Sequence, residues 1–203
     1  MTVEYKILKA QEADAREILE LQYLAYQSEA QLNDDFAIQP LTQTLDELIA
    51  EYHKGVILKA VQNGEIIGSV RAYEENKTVY IGKLIVHPGH QGKNIGKRLL
   101  AAIEKEFPNK RYELFTSCKS DINLHLYEKA GYKRFREEIS NGINFVYLEK
   151  QADDGTNIAL GLCFGSCAGV LIGVLTDNIG LWLSIGIGIG LAIGASFPKK
   201  KKE

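Results

Sequence analysis

The chain has little cysteine. Three residues, Cys118, Cys163 and Cys167, are scattered over 203 positions. That is no disulfide framework, and it points to a reduced, cytosolic setting. Excess positive charge is also missing: a formal net charge of −2 excludes the global basic field of a nucleic-acid binder. The opening Met-Thr-Val-Glu-Tyr-Lys lacks the apolar core of a secretory signal. No metal-ligand set stands out. His87 and His90 flank a Pro-Gly turn, but no carboxylate or cysteine nearby completes a site, so both read as structural and no metal is expected. His125 reads as a surface residue and Cys118 as a small core or loop residue. The last absence is regional. Residues 151–198 contain no Lys or Arg, whereas residues 1–150 hold 20 of the 24. The chain therefore divides into a mixed-composition domain at 1–150, a polar linker at 151–157, an apolar stretch at 158–198 and a basic tail at 199–203.

Within residues 1–150 the patterning is that of a mixed α/β domain. Residues 3–8 alternate like a strand, and Ile18, Leu21, Leu24 and Ala25 form a helical stripe over 11–27. An irregular segment, 28–43, follows. Thr44 with Glu47 three residues on makes a capping box for a second helix, faced by Leu45, Leu48, Ile49 and Tyr52. Strands at 56–62 and 65–73 meet at Asn63-Gly64, and a third strand covers 78–86. A helix at 92–106, a strand at 112–117 and a helix at 121–130 come next, the last one started by Ser120 or Asp121 and stopped by Gly131. Two strands, 132–138 and 143–149, meet at Asn141-Gly142. The order β-α-α-β-β-β-α-β-α-β-β predicts a mixed, mainly antiparallel sheet flanked by helices.

One stretch carries chemistry. After the strand ending at Val86, a Pro-Gly turn leads to Gln91-Gly92-Lys93-Asn94-Ile95-Gly96-Lys97 at a helix start. A helix start offers unpaired N–H groups and the positive end of the macrodipole, and small residues let an anion approach. The pattern suits phosphate or pyrophosphate. A second motif, Asn123 with Tyr127 and Gly131-Tyr132, lies downstream at the right order.

Together these motifs make residues 1–150 resemble the GCN5-related N-acetyltransferase (GNAT) family, whose loop reads Gln/Arg-x-x-Gly-x-Gly/Ala. Asn94 departs from it, standing where the family usually has glycine; asparagine tolerates positive φ best among the other residues. The resemblance implies acetyl-CoA as co-substrate and a primary amine as acceptor. Leu84, Ile85 and Val86 would bind pantetheine in pseudo-sheet fashion, and Gln91 to Lys97 would bind the pyrophosphate. Asn123 would touch pantetheine, and Tyr127 would protonate the leaving thiolate. Many relatives carry a Glu on the strand that here ends at Val86, and this strand has none. The substitute is expected to be a water relay to Tyr80 or an acid of the 28–35 segment, Glu29, Asp34 or Asp35, which would also attract a cationic amine.

The tail reads as two uncharged runs, 158–175 and 179–197, either side of Thr176-Asp177-Asn178. Glycine recurs every fourth position at Gly161, Gly165, Gly169 and Gly173, and again at Gly186, Gly190 and Gly194. That spacing lines one face of each helix, as where two helices meet backbone to backbone. Eighteen helical residues span about 27 Å, close to the ~30 Å of a bilayer core. The expectation is a transmembrane glycine-zipper hairpin with Asp177 at its tip. Lys199 to Lys202 return to the cytosolic side, and the catalytic domain is anchored at the cytoplasmic membrane. The alternative is a soluble glycine-zipper oligomer carrying a CoA-binding sensor or scaffold. Cys163 and Cys167, one turn apart, are expected as small buried residues of the packed helices.

Overall fold

The computed structural model of the protein describes residues 4–151, 156–176 and 178–196. The chain divides into two units, Met1–Ala152 and Asp153–Glu203. In the first, seven strands form one sheet in the order β1-β2-β3-β4-β5-β7-β6. They are β1 Lys6–Lys9, β2 Val56–Gln62, β3 Glu65–Glu75, β4 Thr78–Val86, β5 Arg111–Ser117, β6 Lys133–Ser140 and β7 Ile143–Lys150. Five helices accompany them: α1 Ala15–Asn33, α2 Gln39–Thr42, α3 Leu45–Lys54, α4 Ile95–Glu106 and α5 Asp121–Lys129.

Local chemistry explains most boundaries. Thr44 and Glu47 exchange the two capping-box hydrogen bonds that start α3, at 3.3 and 2.8 Å. Asn63-Gly64 and Asn141-Gly142 both hold positive φ, as tight hairpin turns require. Gly131, at φ +95, ends α5. The segment 28–43 departs from expectation. It is not a long irregular loop, since α1 runs on to Asn33 and α2 forms a further turn. Its polar residues stay helical because tertiary bonds hold them: Asn33 Oδ1 accepts from Ser117 Oγ at 2.7 Å, and Glu29 is bound by α5.

Each sheet face has its own core. Leu99, Leu100 and Ile103 of α4 pack on Val70, Val79 and Leu148 on one side. Ile18, Leu21 and Leu48 of α1 and α3 pack on Ile57, Ile66 and Ile85 on the other. Each fully buried Leu or Ile contributes about 1.5–3 kcal/mol.

The second unit contains α6 Thr156–Leu175 and α7 Ile179–Ser196. They run antiparallel with backbones in contact at their glycines. A Cβ added at Gly165 would lie 2.7 Å from the Gly190 Cα, and one at Gly169 would lie 3.0 Å from the Leu183 Cα. The glycine spacing thus packs helix on helix. Among the described residues, no helix is long and apolar enough to cross a membrane. Glycine adds little apolar surface, so the helical hairpin is shown and its crossing of a membrane is not. Cys163 and Cys167 are exposed rather than buried, because the glycine face and not theirs meets α7. Asp177, residues 152–155 of the 151–157 linker and Lys199–Lys202 lie outside the described residues.

Leu99 is 0 % exposed at the centre of the α4 face. Leu99→Ala is expected to lower unfolding free energy by about 2–5 kcal/mol, measured by urea denaturation.

Candidate active site

The site begins where two parallel strands part. β4 and β5 pair only at Thr78↔Arg111, Val79↔Tyr112 and Tyr80↔Glu113. Beyond Tyr80, β4 keeps β3 on one side and β5 keeps β7 on the other, and the two diverge. The backbone N–H and C=O groups that β4 would offer to β5 over Ile81–Val86 are left open, as at a sheet edge. A bulge accentuates this. Ser69 pairs Ile85 and Arg71 pairs Gly82, so Lys83 and Leu84 together oppose Val70. Lys83 takes φ +50, the left-handed conformation such a kink requires. The parting opens a cleft of about 1910 Å³.

At the far end of β4 lies the anion cradle anticipated from the sequence. α4 starts at Ile95, and Asn94 precedes it in the left-handed region at φ 60, ψ 14. Asparagine holds here a left-handed conformation that glycine adopts without strain. The first intrahelical bond is Arg98 N to Asn94 O at 3.1 Å, so the amides of Ile95 to Lys97 have no partner within the helix. No acidic residue sits in that first turn. Gly92 has φ +76 and nothing within 4 Å of where a Cβ would project. At Gly96 a Cβ would meet only ordinary contacts, Leu126 Cδ2 at 3.6 Å and Val86 Cγ2 at 3.7 Å. The fold itself would accept alanine at 96, so the space both glycines leave is open to a ligand. These residues fit a diphosphate.

Across the cleft, α5 presents Asn123 and Tyr127. Asn123 Nδ2 donates to Glu29 Oε1 and to Ser120 Oγ, each at 2.9 Å, and Ser120 Oγ donates to the same Glu29 oxygen at 2.6 Å. Ser120 occupies the N-cap position of α5 but spends its hydroxyl on Glu29 rather than on a helix amide. Tyr127 is 7 % exposed. Burial pushes its hydroxyl well above the usual tyrosine range, and the neighbouring Tyr26 and Glu29 push the same way. The phenol is held as an acid at any physiological pH.

Sequence reasoning missed the polar cluster on the β3 side of the cleft. Arg71 on β3 is 5 % exposed. It donates to Glu51 Oε2 at 2.5 Å, to Gln43 Oε1 at 3.1 Å and to Gln22 Oε1. Gln43 in turn donates to Glu51 Oε1 at 2.8 Å, and Gln22 to Gln43 at 2.9 Å. Lys83 projects beside this cluster and donates to Gln39 Oε1 of α2. Burial pushes the Lys83 ammonium down to about 8, with Glu51 opposing and Arg71 adding to the shift. The available sequence signal was a lone arginine in the apolar run Ile66–Ala72.

Of the residues singled out from the sequence, the cleft is lined by Leu84, Ile85 and Val86, by Gln91, Gly92, Asn94, Ile95, Gly96 and Lys97, and by Glu29, Tyr80, Asn123 and Tyr127. Two stand outside the lining. Lys93 turns back to donate to Gly89 O at 3.3 Å. Asp34 is the left-handed C-cap of α1. Asp35 lines the cleft, but its Oδ1 accepts from Ala37 N at 2.8 Å. Among the described residues no group of His, Cys, Asp and Glu could hold a metal.

A splayed parallel pair between two antiparallel halves, opening on a glycine-bearing helix start, defines an acetyltransferase fold. The chain belongs to the acetyltransferase (GNAT) family, whose model matches residues 15–132. A second family model, described as a glycine zipper membrane protein, matches residues 151–200. Glucosamine 6-phosphate N-acetyltransferase of Schizosaccharomyces pombe is 32% identical over 87 residues, which cover 39% of this chain and 78% of that protein. Among solved structures, the PaiA N-acetyltransferase of Thermoplasma acidophilum in complex with coenzyme A superposes with a TM-score of 0.61. It is 16% identical and the match covers 73% of this chain and 99% of that one. The YncA acetyltransferase of Salmonella typhimurium, with acetyl-CoA, gives 0.59 at 21% identity, covering 74% and 95%. At these identities the two structures speak to the fold.

The left-handed Asn94 gives a direct check on the cradle. Asn94→Val is expected to destabilise the protein by about 1–2 kcal/mol, the cost of that conformation for a residue with a crowded Cβ. Asn94→Gly should be neutral or mildly stabilising. Chemical denaturation of the two variants beside the parent measures both.

Proposed function

We propose that this chain is an acetyl-CoA-dependent N-acetyltransferase that moves the acetyl group to a primary amine by direct attack, with residues 1–150 as the catalytic domain. The observation that carries the reading is the open edge of β4 running from the Lys83–Leu84 bulge to the α4 start. The edge amides of Leu84 to Val86 suit the pantetheine arm. The loop from Gln91 to Lys97 suits the diphosphate, with Lys97 adding positive charge. An edge N–H near the bulge would polarise the thioester carbonyl.

The chemistry then follows from proton accounting. An alkylammonium, of pKa about 10.4, loses a proton before it attacks. The neutral nitrogen forms the C–N bond, the C–S bond breaks, and Tyr127 gives its proton to the departing sulfur. Tyr127 suits that step because burial keeps it protonated. Asn123, on the same α5 face, suits contact with pantetheine. After the C–N bond forms, the second N–H proton is shed and returns through the cleft water to the Tyr127 phenolate; the first, lost from the ammonium, leaves through the same water. Glu29 is its best acceptor there: it lies beside Tyr127 and uses only Oε1 for Ser120 and Asn123 among the described residues. Tyr80, stacked on Tyr73 at 5.3 Å, walls the amine side. Asp34, outside the cleft lining, has no part in this scheme.

For Tyr127→Phe, kcat is expected to fall by about 10²-fold or more while calorimetry finds acetyl-CoA affinity unchanged. Full turnover in the variant would remove Tyr127 from the chemistry. Binding of acetyl-CoA by the parent with no transfer to any amine would mark a CoA-binding sensor instead.

We propose further that α6 and α7 tether this enzyme to a membrane, with the catalytic domain on the cytosolic side. The support is the glycine zipper membrane family model at 151–200 and the absence of Lys and Arg from 151–198 ahead of four lysines. The full chain should stay with the membrane pellet after a carbonate wash. Release into the supernatant as a discrete oligomer would show instead that the glycine faces assemble copies in water.

A further inference from the structure

We infer that the acceptor amine carries an anionic group, a carboxylate or a phosphate, and that Lys83 binds it. The inference rests on the acetyltransferase reading and concerns the amine side of the same cleft. Lys83 stands in the β4 bulge, next to the edge where the thioester carbonyl would lie. A group gripping the substrate from there is within one small molecule's length of the reacting nitrogen.

The charges lining the cleft decide the sign of that group. The acids are already committed. Glu29 accepts from Ser120 and Asn123 through Oε1, and its Oε2 is the oxygen assigned above to the amine's proton. Both oxygens of Glu51 are taken, one by Arg71 at 2.5 Å and one by Gln43 at 2.8 Å. Glu113 pairs with Arg111 at 3.0 Å, and Glu138 with Arg136 at 3.6 Å. Asp35 closes its own turn on Ala37, and Asp121 sits in the first turn of α5, where the helix favours a carboxylate. Lys83 is different. It is half-buried, and its hydrogen-bond partner among the described residues is the neutral carboxamide of Gln39. Burial without a bonded counter-ion disfavours its charge, which agrees with the lowered ammonium. A substrate oxyanion would supply that counter-ion through a charge-assisted hydrogen bond.

The same arrangement answers the missing β4 carboxylate. Arg71 and Lys83 together discourage a positive charge on the bound amine, so they favour the neutral nucleophile while holding the anion beyond it. This reverses the expectation that the acids of 28–35 draw in a cationic amine. Of those acids, Glu29 ties α1 to α5, Asp35 closes its own turn on Ala37, and Asp34 lies outside the cleft lining.

The experiment uses the full-length protein, acetyl-CoA and matched amines: β-alanine against propylamine, and glucosamine 6-phosphate against glucosamine. The first pair reads a carboxylate and the second a phosphate. The anionic member of at least one pair should lead in kcat/KM by about tenfold or more, the scale of a hydrogen bond to a charged group. Lys83→Met should cut that ratio to near one and Lys83→Arg should restore much of it, whereas a merely structural effect would lower both members alike. As a readout without turnover, lysines are 13C-methylated and the signal lost in Lys83→Met is followed during titration with inorganic phosphate and with acetate. A saturable shift is expected. Equal use of both members, or a preference for the uncharged or cationic amine, overturns the inference and leaves the acetyltransferase reading intact. So does a preference that Lys83→Met does not change, or a Lys83 signal that neither anion moves. If no amine is acetylated while phosphate still moves the Lys83 signal, the acetyltransferase reading falls and the anion site stands.

Discussion

Everything in the first unit turns on how little β4 and β5 hold each other. Three residues of parallel pairing join the two antiparallel halves of the sheet, and then the strands separate. An unpaired backbone edge inside a protein is normally a liability that must be covered or satisfied. Here the two cores keep the strands apart. α4 and α5 are fixed to one face by Leu99, Leu100, Ile103 and Leu124, and α1 and α3 to the other by Ile18, Leu21 and Leu48. The edge stays open because neither half can slide to close it without unpacking a core. A ligand that is itself a chain of amides is the natural complement to such an edge.

The polar network around the cleft then divides labour between its two ends. Toward the α4 start, backbone amides and space do the binding: Gly92 and Gly96 leave room, and Asn94 turns the chain so that the helix N-terminus faces the opening. Toward the bulge, side chains dominate. Arg71, Gln22, Gln43 and Glu51 form a buried cluster joining β3 to α1 and α3. The Nε of Arg71 has no hydrogen bond within it. A buried charge of this kind is expensive unless its partners are well placed. The cluster fixes the wall against which Lys83 rests.

Much of this was legible in the sequence, for identifiable reasons. Features set by neighbours in the chain came through: the Thr44–Glu47 capping box, the Asn-Gly hairpins, the stop at Gly131, and the Gln91–Gly96 loop with its left-handed Asn94. The four-residue glycine spacing foretold the close approach of α6 and α7. Features set by distant residues did not. α1 continues six residues past the expected end at 27 because Glu29 and Asn33 find partners some ninety residues away, on α5 and β5. Glu29, Ala30, Gln31 and Leu32 are good helix formers and permit the extension, but the partners that fix it are not visible locally. Arg71 looks, in sequence, like an interruption of a strand, and only the fold brings Gln22, Gln43 and Glu51 to it. Lys83 reads as an ordinary strand residue until the β3 register reveals the bulge.

On the proposed function, the open edge of β4 receives the amide chain of a coenzyme A thioester. Amide hydrogen exchange over Ile81–Val86, with and without acetyl-CoA, tests it most directly. The cofactor should slow exchange at this edge and at Gln91–Lys97 together. Unchanged exchange along β4 under saturating acetyl-CoA would contradict it.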